Sequence, residues 1–306
     1  LRSRELYPGW AHKLEALTGL NPEYWPCGIL SPVYAEDGAC DSLALHEHYP
    51  AANRQWLNQS AIHQHQPGLS SQVVGGWWYP EDAQVDNRSL AQVLWAAAKQ
   101  LGVQLCEGIA VDGLRYQQNR VVGVETTAGG WQAEQYLLAT GAWSSELLPV
   151  PVVPRKGQML SVRVPREGQE VQPLRQVLFG TQIYIVPRHD GRIVIGATSE
   201  DVGFTPNNTP AGIQSLLGAA MKLYPEIRDF PTQEFWWGFR PATPDEWPIL
   251  GPSSWANLTL ATGHYRNGIL LAPVTAALIT NLILHQKFDP LLTHFHWERF
   301  GGMGAA

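Results

Sequence analysis

The sequence predicts a mixed α/β fold (α+β in its details) in which an antiparallel sheet with a covering helix is inserted into an α/β unit. Three observations carry this. QMLSVRV, QVLFG, QIYIVPR and RIVIGAT, after Pro149, are short strand-like runs that follow one another without intervening helices, the pattern of antiparallel strands. Gln214 to Tyr224 is amphipathic at helical spacing and suits one face of such a sheet. The strand-like run Asn257 to Thr262 then passes through a glycine-containing turn into the apolar run Ile269 to Leu284, so parallel character resumes only at Leu258.

In chain order, Tyr7-Pro8-Gly9 is expected to turn and Trp10 to Thr18 to form a helix, with Leu14, Leu17 and Leu20 at helical spacing. Cys27 to Tyr34 suits a strand, and Ser42 to Asn58 a helix interrupted near Pro50. VVGGWWYP ends a strand at Pro80, after which Asp86 can cap a helix over Leu90 to Leu101. From Val103 the texture changes to VQLCEGI, VDGLRYQ, RVVGVETT and WQAEQYLLAT, strands with Gln117-Gln118-Asn119 and Ala128-Gly129-Gly130 as hairpin turns. The last of them runs into ATGAWSS, a strand end followed by a glycine loop, and His189-Asp190-Gly191 is a compact turn inside the inserted sheet.

At 306 residues and 44% hydrophobic, the chain can bury the cores of two interlocked domains. A net charge of −6 without a Lys/Arg cluster argues against a nucleic-acid partner. Cys27, Cys40 and Cys106 are odd in number and form no CxxC pair, so neither a disulfide framework nor zinc is signalled, and a reducing, cytoplasmic setting fits. Gly268 to Leu284, interrupted by Pro273, Thr275, Thr280 and Asn281, is expected to be a buried helix rather than a membrane span, and no signal-peptide pattern is present. His46, His48, His63 and His65 lack an i, i+4 pair and a carboxylate pattern, and read as surface histidines rather than metal ligands. The thirteen tryptophans are chiefly core packing, with a minority lining a pocket for a flat ligand.

The chemistry concentrates between Phe235 and Pro273. FWWGFRPATPDEWPILGP and LTLATGHYRNGILLAP place Arg240 and Arg266 at strand ends, in segments too apolar and glycine-rich for ordinary solvated surface. Glycines at such a crossing admit a ligand close to the backbone, and the first N–H groups of a helix attract negative charge. Two cations there fit an anionic small molecule. Tyr184 shares a strand face with Val186, opposite Ile183 and Ile185. On that face its hydroxyl can meet a carboxylate beside an arginine, or simply reach water. No paired carboxylates and no Ser/His/Asp set point to hydrolysis.

Five segments in this order, LLATGAWSS, PVVPRKGQML, YIVPRHDGRIVIGAT, WWGFRPATPDEWPILGP and GHYRNGILLAP, resemble the D-amino-acid-oxidase-like family of flavoproteins, and within it the glycine oxidases of thiamin thiazole biosynthesis. The similarity spans almost the whole chain. It implies a Rossmann-like FAD-binding domain, here residues 86–150 and 245–290, interleaved with a substrate domain of residues 1–85 and 151–244 whose antiparallel sheet roofs the flavin. It implies a small amino-acid substrate and a homo-oligomer, often a tetramer in relatives. FAD is expected to be noncovalent, since the cysteines lie far in sequence from GHYRNG.

Carried over by position, the resemblance gives Arg240 to the substrate carboxylate, with Tyr184 helping to hold it and Arg266 at both substrate and flavin. Gly263, His264, Asn267, Gly268 and Ile269 match the loop and helix start against the isoalloxazine ring. Val111 falls at a backbone contact to the cofactor, and Thr140, Gly141 and Trp143 in the strand-end loop beside it. No catalytic acid or base is assigned, since hydride transfer to a flavin belongs to the cofactor and the protein orients the substrate. The implied reaction oxidises an amino acid to its imine, which water hydrolyses to a 2-oxo acid and ammonia, while oxygen reoxidises the flavin to give hydrogen peroxide. Sarcosine or D-amino-acid oxidation in the same fold, and a non-catalytic remnant that binds a carboxylate, are the alternatives.

One family feature is not found. The opening strand and GxGxxG turn that grip the FAD pyrophosphate have no counterpart, because Gly75-Gly76 and Gly129-Gly130 lack both the spacing and the strand-to-helix setting. The chain opens at Leu1 and passes directly into a helix, as a fragment would. The FAD-binding domain is therefore expected to be incomplete by its first βαβ unit, and the polypeptide as written to bind FAD poorly or not at all.

Overall fold

Residues 1–35, 53–165 and 173–301 are described by the computed structural model. Helix α1 (Arg2–Thr18) runs straight through Pro8, where a turn was expected. Proline in a helix interior forfeits one backbone hydrogen bond. Burial of Ser3, Tyr7, Ala11 and Leu14 along one face compensates, and Gly19 closes the helix in the left-handed region, its N–H bonded to the Glu15 carbonyl. The short strand β1 (Tyr24–Trp25) follows, then β2 (Ile29–Tyr34).

The helix expected over 42–58 falls largely outside the described residues, and its described end is not helical. Residues Gln55–Asn58 form strand β3, and the helix begins only at α2 (Gln59–His65), capped by the Asn58 side chain accepting from the Ala61 N–H. The pairing of β3 with β4 (Val73–Tyr79) decides this, Trp56 lying opposite Trp77. Strand β5 (Gln84–Val85) pairs with β1, and Asp86 caps α3 (Asn87–Gln100) as its side chain accepts from the N–H groups of Arg88 and Ser89.

VQLCEGI forms no strand. Residues 103–106 are irregular and a turn follows, because regular pairing starts only with the meander β6 (Val111–Gln117), β7 (Arg120–Thr126) and β8 (Gly129–Trp131). After β9 (Tyr136–Leu138), a 3-10 turn at Gly141–Trp143 and a short helix α4 (Ser144–Leu147), the chain enters the long strand β10 (Val153–Arg163). Then come β11 (Val177–Phe179), β12 (Tyr184–Pro187) and β13 (Arg192–Gly196), the last two joined at a turn closed by the Gly191 N–H on the Arg188 carbonyl. Helix α5 (Pro210–Leu223), strands β14 (Thr232–Ala242), β15 (Ile249–Pro252) and β16 (Leu258–Thr262), and helix α6 (Gly268–His285) complete the main elements.

Eight strands form the large sheet, in the order β14-β10-β13-β12-β11-β2-β4-β3, antiparallel except at β11 with β2. One face is apolar: Leu160, Val162, Ile185, Ile193 and Ile195 pack with Leu216, Ala220 and Leu223 of α5. Each such fully buried aliphatic side chain contributes about 1.5–3 kcal/mol. Strand alternation then commits the neighbouring residues of β10, β12, β13 and β14 to the opposite face.

A smaller sheet, β15-β16-β9, has β16 parallel to β9, the switch to parallel pairing expected at Leu258. Helix α6 buries Pro273, Val274, Leu278 and Ile279 against Leu250 and Leu292. It was expected to be a buried helix, yet only 22% of it is buried, and Ile269, Leu270 and Leu284 are exposed. By length and composition it could cross a membrane. Helix α1 packs on α3 and α6 rather than on the large sheet, through Leu14 with Leu90, Val93 and Ala97, and through hydrogen bonds from Ser3 and Tyr7 to the Leu270 and Ile269 carbonyls.

Candidate active site

Strand register builds the site. Arg155 lies opposite Arg240, Gly157 opposite Gly238, and Met159 opposite both Trp236 and Gly196, which in turn faces Tyr184. These residues share the face turned away from α5. Between Tyr184 and Arg240 the row carries glycines, and two of them are needed. A Cβ on Gly157 would stand 2.5 Å from both terminal nitrogens of Arg240, and one on Gly196 2.5 Å from the Tyr184 hydroxyl. The missing side chains form a flat bed on which the guanidinium and the phenol lie.

Arg240 donates to the Thr198 carbonyl at 3.0 Å. Burial pushes the Tyr184 phenol above its usual pKa, while Arg240, hydrogen-bonded to it, and the more distant Arg188 and Arg266 pull the other way. The phenol therefore stays protonated and able to donate at neutral pH. Among the described residues no carboxylate is paired with Arg240 or Arg266. Arg240 and Tyr184 thus meet, with Arg266 within electrostatic reach, and no carboxylate among the described residues neutralises either arginine.

The loop after β16 is joined to this strand. Tyr265 donates its N–H to the Pro241 carbonyl at 2.9 Å, one residue from Arg240. Gly263, with φ +73°, lies so close to Thr243 that a Cβ would reach its methyl at 2.7 Å. His264 is pushed down to about 4 by burial and is neutral at pH 7, its Nε2 3.1 Å from the Thr275 hydroxyl. Arg266 lies against the Tyr265 ring. Asn267 opens α6 with no side-chain cap, and Gly268 and Ile269 form its first turn.

A second loop reaches the same place. The buried Ser144 hydroxyl bonds the Gly141 carbonyl at 2.7 Å and contacts the Thr262 and Thr140 hydroxyls, setting Thr140 and Gly141 beside the Gly263 loop. Trp143 is elsewhere. It stacks on Phe204 and meets Phe239 edge-on, and Phe239 is on the face of β14 opposite Arg240. Val111 starts β6 with an exposed side chain, and no hydrogen bond or ring contact among the described residues ties it to the Gly263 loop. The structure therefore groups Tyr184, Arg240 and Arg266, joins the 263–269 loop and Thr140-Gly141 to them, and leaves Val111 and Trp143 outside.

Sequence reading missed Gly157, Gly196, Ser144 and Thr262. Gly157 lies inside a strand and Gly196 at the end of one, where a glycine signals close approach; the serine and threonine carry no signal beyond their positions after two strands. Of the histidines singled out, His63 contacts the Val73 carbonyl and His65 packs on Trp78, so both are half-buried rather than surface; His46 and His48 lie outside the described residues. Among the described residues no cluster suits a metal.

The family described as FAD dependent oxidoreductase matches residues 2–282. The chain belongs to that family. The residues present fit the ring-bearing end of FAD: Gly263 keeps a cradle open that a Cβ would fill, α6 starts with an uncapped first turn, and Ile269 offers an exposed apolar surface. A "Bifunctional protein ThiO/ThiG" of Trichormus variabilis is 66% identical over 299 residues, 98% of this chain and 46% of the relative. This chain thus spans less than half of that relative. A glycine oxidase of Pseudomonas aeruginosa is 34% identical over 291 residues, 92% of this chain and 77% of the other. In structure, the glycine oxidase from Geobacillus kaustophilus superposes with a TM-score of 0.90 at 32% identity, covering 98% of this chain and 82% of that one. The mixed α/β architecture expected from the sequence is shared with it.

Proposed function

We propose that this chain carries an FAD-dependent oxidation of a small amino acid, glycine first, to its imine, which water hydrolyses to the 2-oxo acid and ammonia while oxygen takes up the electrons as hydrogen peroxide, feeding thiamin thiazole synthesis. The observation that carries the proposal is that Arg240 and Tyr184 lie side by side on a glycine bed, with Arg266 near enough to act on Tyr184 electrostatically and no carboxylate paired with either arginine among the described residues. The substrate carboxylate supplies the missing anion. A planar guanidinium accepts it through two parallel hydrogen bonds, and the protonated phenol of Tyr184 adds a third donor. Arg266, on the loop bonded to β14, adds positive charge from the cofactor side.

FAD, when bound, supplies a two-electron acceptor for the substrate Cα–H. The chain's own residues orient: Gly263, His264, Asn267, Gly268 and Ile269 would hold the ring, with Thr140 and Gly141 beside them. His264, neutral, places no charge there. The glycine oxidases and the bifunctional relatives support glycine over larger amines.

The test is peroxide release by the full-length, FAD-loaded protein with glycine, sarcosine and D-alanine. Glycine is expected to turn over fastest, and Arg240→Ala to abolish turnover with flavin content unchanged. Wild-type turnover in Arg240→Ala would remove Arg240 from the site, and no turnover of any of the three would leave a carboxylate-binding protein without this chemistry.

A further inference from the structure

Behind the substrate face lies a buried polar network that the reaction does not use directly. Lys156 and Gln158, alternating with Gly157 on β10, point to the α5 side of the sheet and are 1% and 0% exposed. Lys156 Nζ lies 3.4 Å from Glu200, and Gln158 Nε2 donates to the same carboxylate at 2.7 Å. The Thr198 hydroxyl donates to it as well. Gln158 is held in turn by the Thr209 N–H at 2.7 Å, at the start of α5.

These groups hold down one short piece of backbone. Lys156 and Glu200 exchange backbone hydrogen bonds of 3.0 and 2.9 Å, and the Gln158 N–H donates to the Thr198 hydroxyl at 2.8 Å. The segment 198–200 is therefore fixed on both its backbone and its side chains. It meets the site at two points: the Thr198 carbonyl takes Arg240 at 3.0 Å, and the Ser199 hydroxyl lies 3.5 Å from that of Tyr265. A half-buried carboxylate with three donors around it is an anchor, because removing it leaves the buried Lys156 and Gln158 side chains short of a partner out of water.

We propose that Glu200 and Lys156 are positioning residues that set the guanidinium of Arg240 from the back of the sheet, acting through Thr198. This rests on the reading of Arg240 as the holder of the substrate carboxylate. Glu200 touches neither substrate nor cofactor; its effect is to keep the Thr198 carbonyl where it orients Arg240 over Gly157. Removing its carboxylate keeps the backbone pair with Lys156 but releases the Thr198 hydroxyl and the buried Lys156 and Gln158 side chains, so the Thr198 carbonyl holds Arg240 less firmly for a carboxylate.

The test uses the full-length, FAD-loaded protein, with acetate as a bare carboxylate in isothermal titration calorimetry and glycine in steady-state kinetics. In Glu200→Ala and in the near-isosteric Thr198→Val, the acetate Kd and the glycine KM are expected to rise roughly tenfold. In both, kcat is expected to stay within about threefold and flavin content to be unchanged. Should Glu200→Ala fail to fold, Thr198→Val decides. A folded variant with wild-type acetate affinity overturns the proposal, as does a loss confined to kcat or to flavin content. Arg240→Ala separates the two readings. If it loses acetate binding while Glu200→Ala and Thr198→Val keep it, only the positioning role fails; if it too binds acetate as wild type, the reading of Arg240 itself fails.

Discussion

Gly157→Ala displaces Arg240 while sparing the fold. Gly157 is not among the positive-φ glycines, so alanine meets no backbone strain. The added Cβ would stand 2.5 Å from both terminal guanidinium nitrogens and 2.7 Å from Cζ. Ordinary contact is near 3.5 Å, so the guanidinium must move by about 1 Å. Its hydrogen bond to the Thr198 carbonyl, 3.0 Å long, does not survive a shift of that size in an unfavourable direction. A charge-assisted hydrogen bond contributes roughly 1.5–3 kcal/mol, which corresponds to a rise in glycine KM of about ten- to a hundredfold. Stability moves the other way or not at all, since replacing glycine within an element relieves roughly 0.5–1 kcal/mol of unfolded-chain entropy. The pair of assays is steady-state peroxide release and thermal unfolding. A KM within twofold of wild type in folded Gly157→Ala would refute the bed-and-guanidinium geometry, whatever Arg240→Ala does.

Two further outcomes follow from buried titrating groups. His264 has its pKa lowered from 6.5 to about 4 by burial, so the unfolded chain takes up a proton before the folded one does. Stability is therefore complete above pH 6.5 and lost as pH falls towards 4, by on the order of 2–3 kcal/mol. Urea unfolding midpoints across that window should slope in the wild type and flatten in His264→Gln. Asp86 is buried and ion-paired with Arg192 at 2.9 Å, with Arg188 at 3.7 Å. Asp86→Asn keeps an acceptor for the α3 cap but removes the charge facing Arg188 and Arg192, which retain Gln84 and Asp190 respectively, and should lower stability by roughly 1.5–3 kcal/mol in the same assay at neutral pH.

The parts of the fold that were legible in the sequence are those whose pattern is local. The inserted sheet announced itself because each strand alternates over its own length, and Tyr184 could be assigned a face from Ile183, Ile185 and Val186 alone. Asp86 showed its cap for the same reason. Where the outcome depended on a distant partner, the reading failed. The run 103–109 alternates like a strand but finds no neighbour to pair with, whereas Gln55–Asn58, which looks helical in continuation of the residues before it, is captured by β4. Pro8 fails to break α1 because α1 is held along one face by α3 and α6, far away in sequence. In the site, the arginines stood out as cations in apolar company. The glycine bed and the Ser144 and Thr262 hydroxyls did not, since each acquires its meaning only from a residue it meets across the fold.

That distinction also explains how one site is assembled from two kinds of structure. Arg240 and Tyr184 are placed by sheet register, which fixes every side chain to a face and tolerates no slip without turning both residues into the core. The loop that carries Arg266 has no register to place it. It depends instead on a few single contacts: the Tyr265 N–H on the Pro241 carbonyl, the absence of a Cβ at Gly263 against Thr243, and the Ser144 hydroxyl meeting Thr262 at the end of β16. α1 braces the helix start from the other side, with Tyr7 and Ser3 donating to the carbonyls of Ile269 and Leu270. Two supports therefore converge on one loop, and the placement of Arg266 relative to Arg240 is set where that loop touches β14. On the proposed reading, a carboxylate held by Arg240 would face the loop that would hold the flavin ring, so substrate orientation and cofactor placement would both depend on the backbone contact between Pro241 and Tyr265.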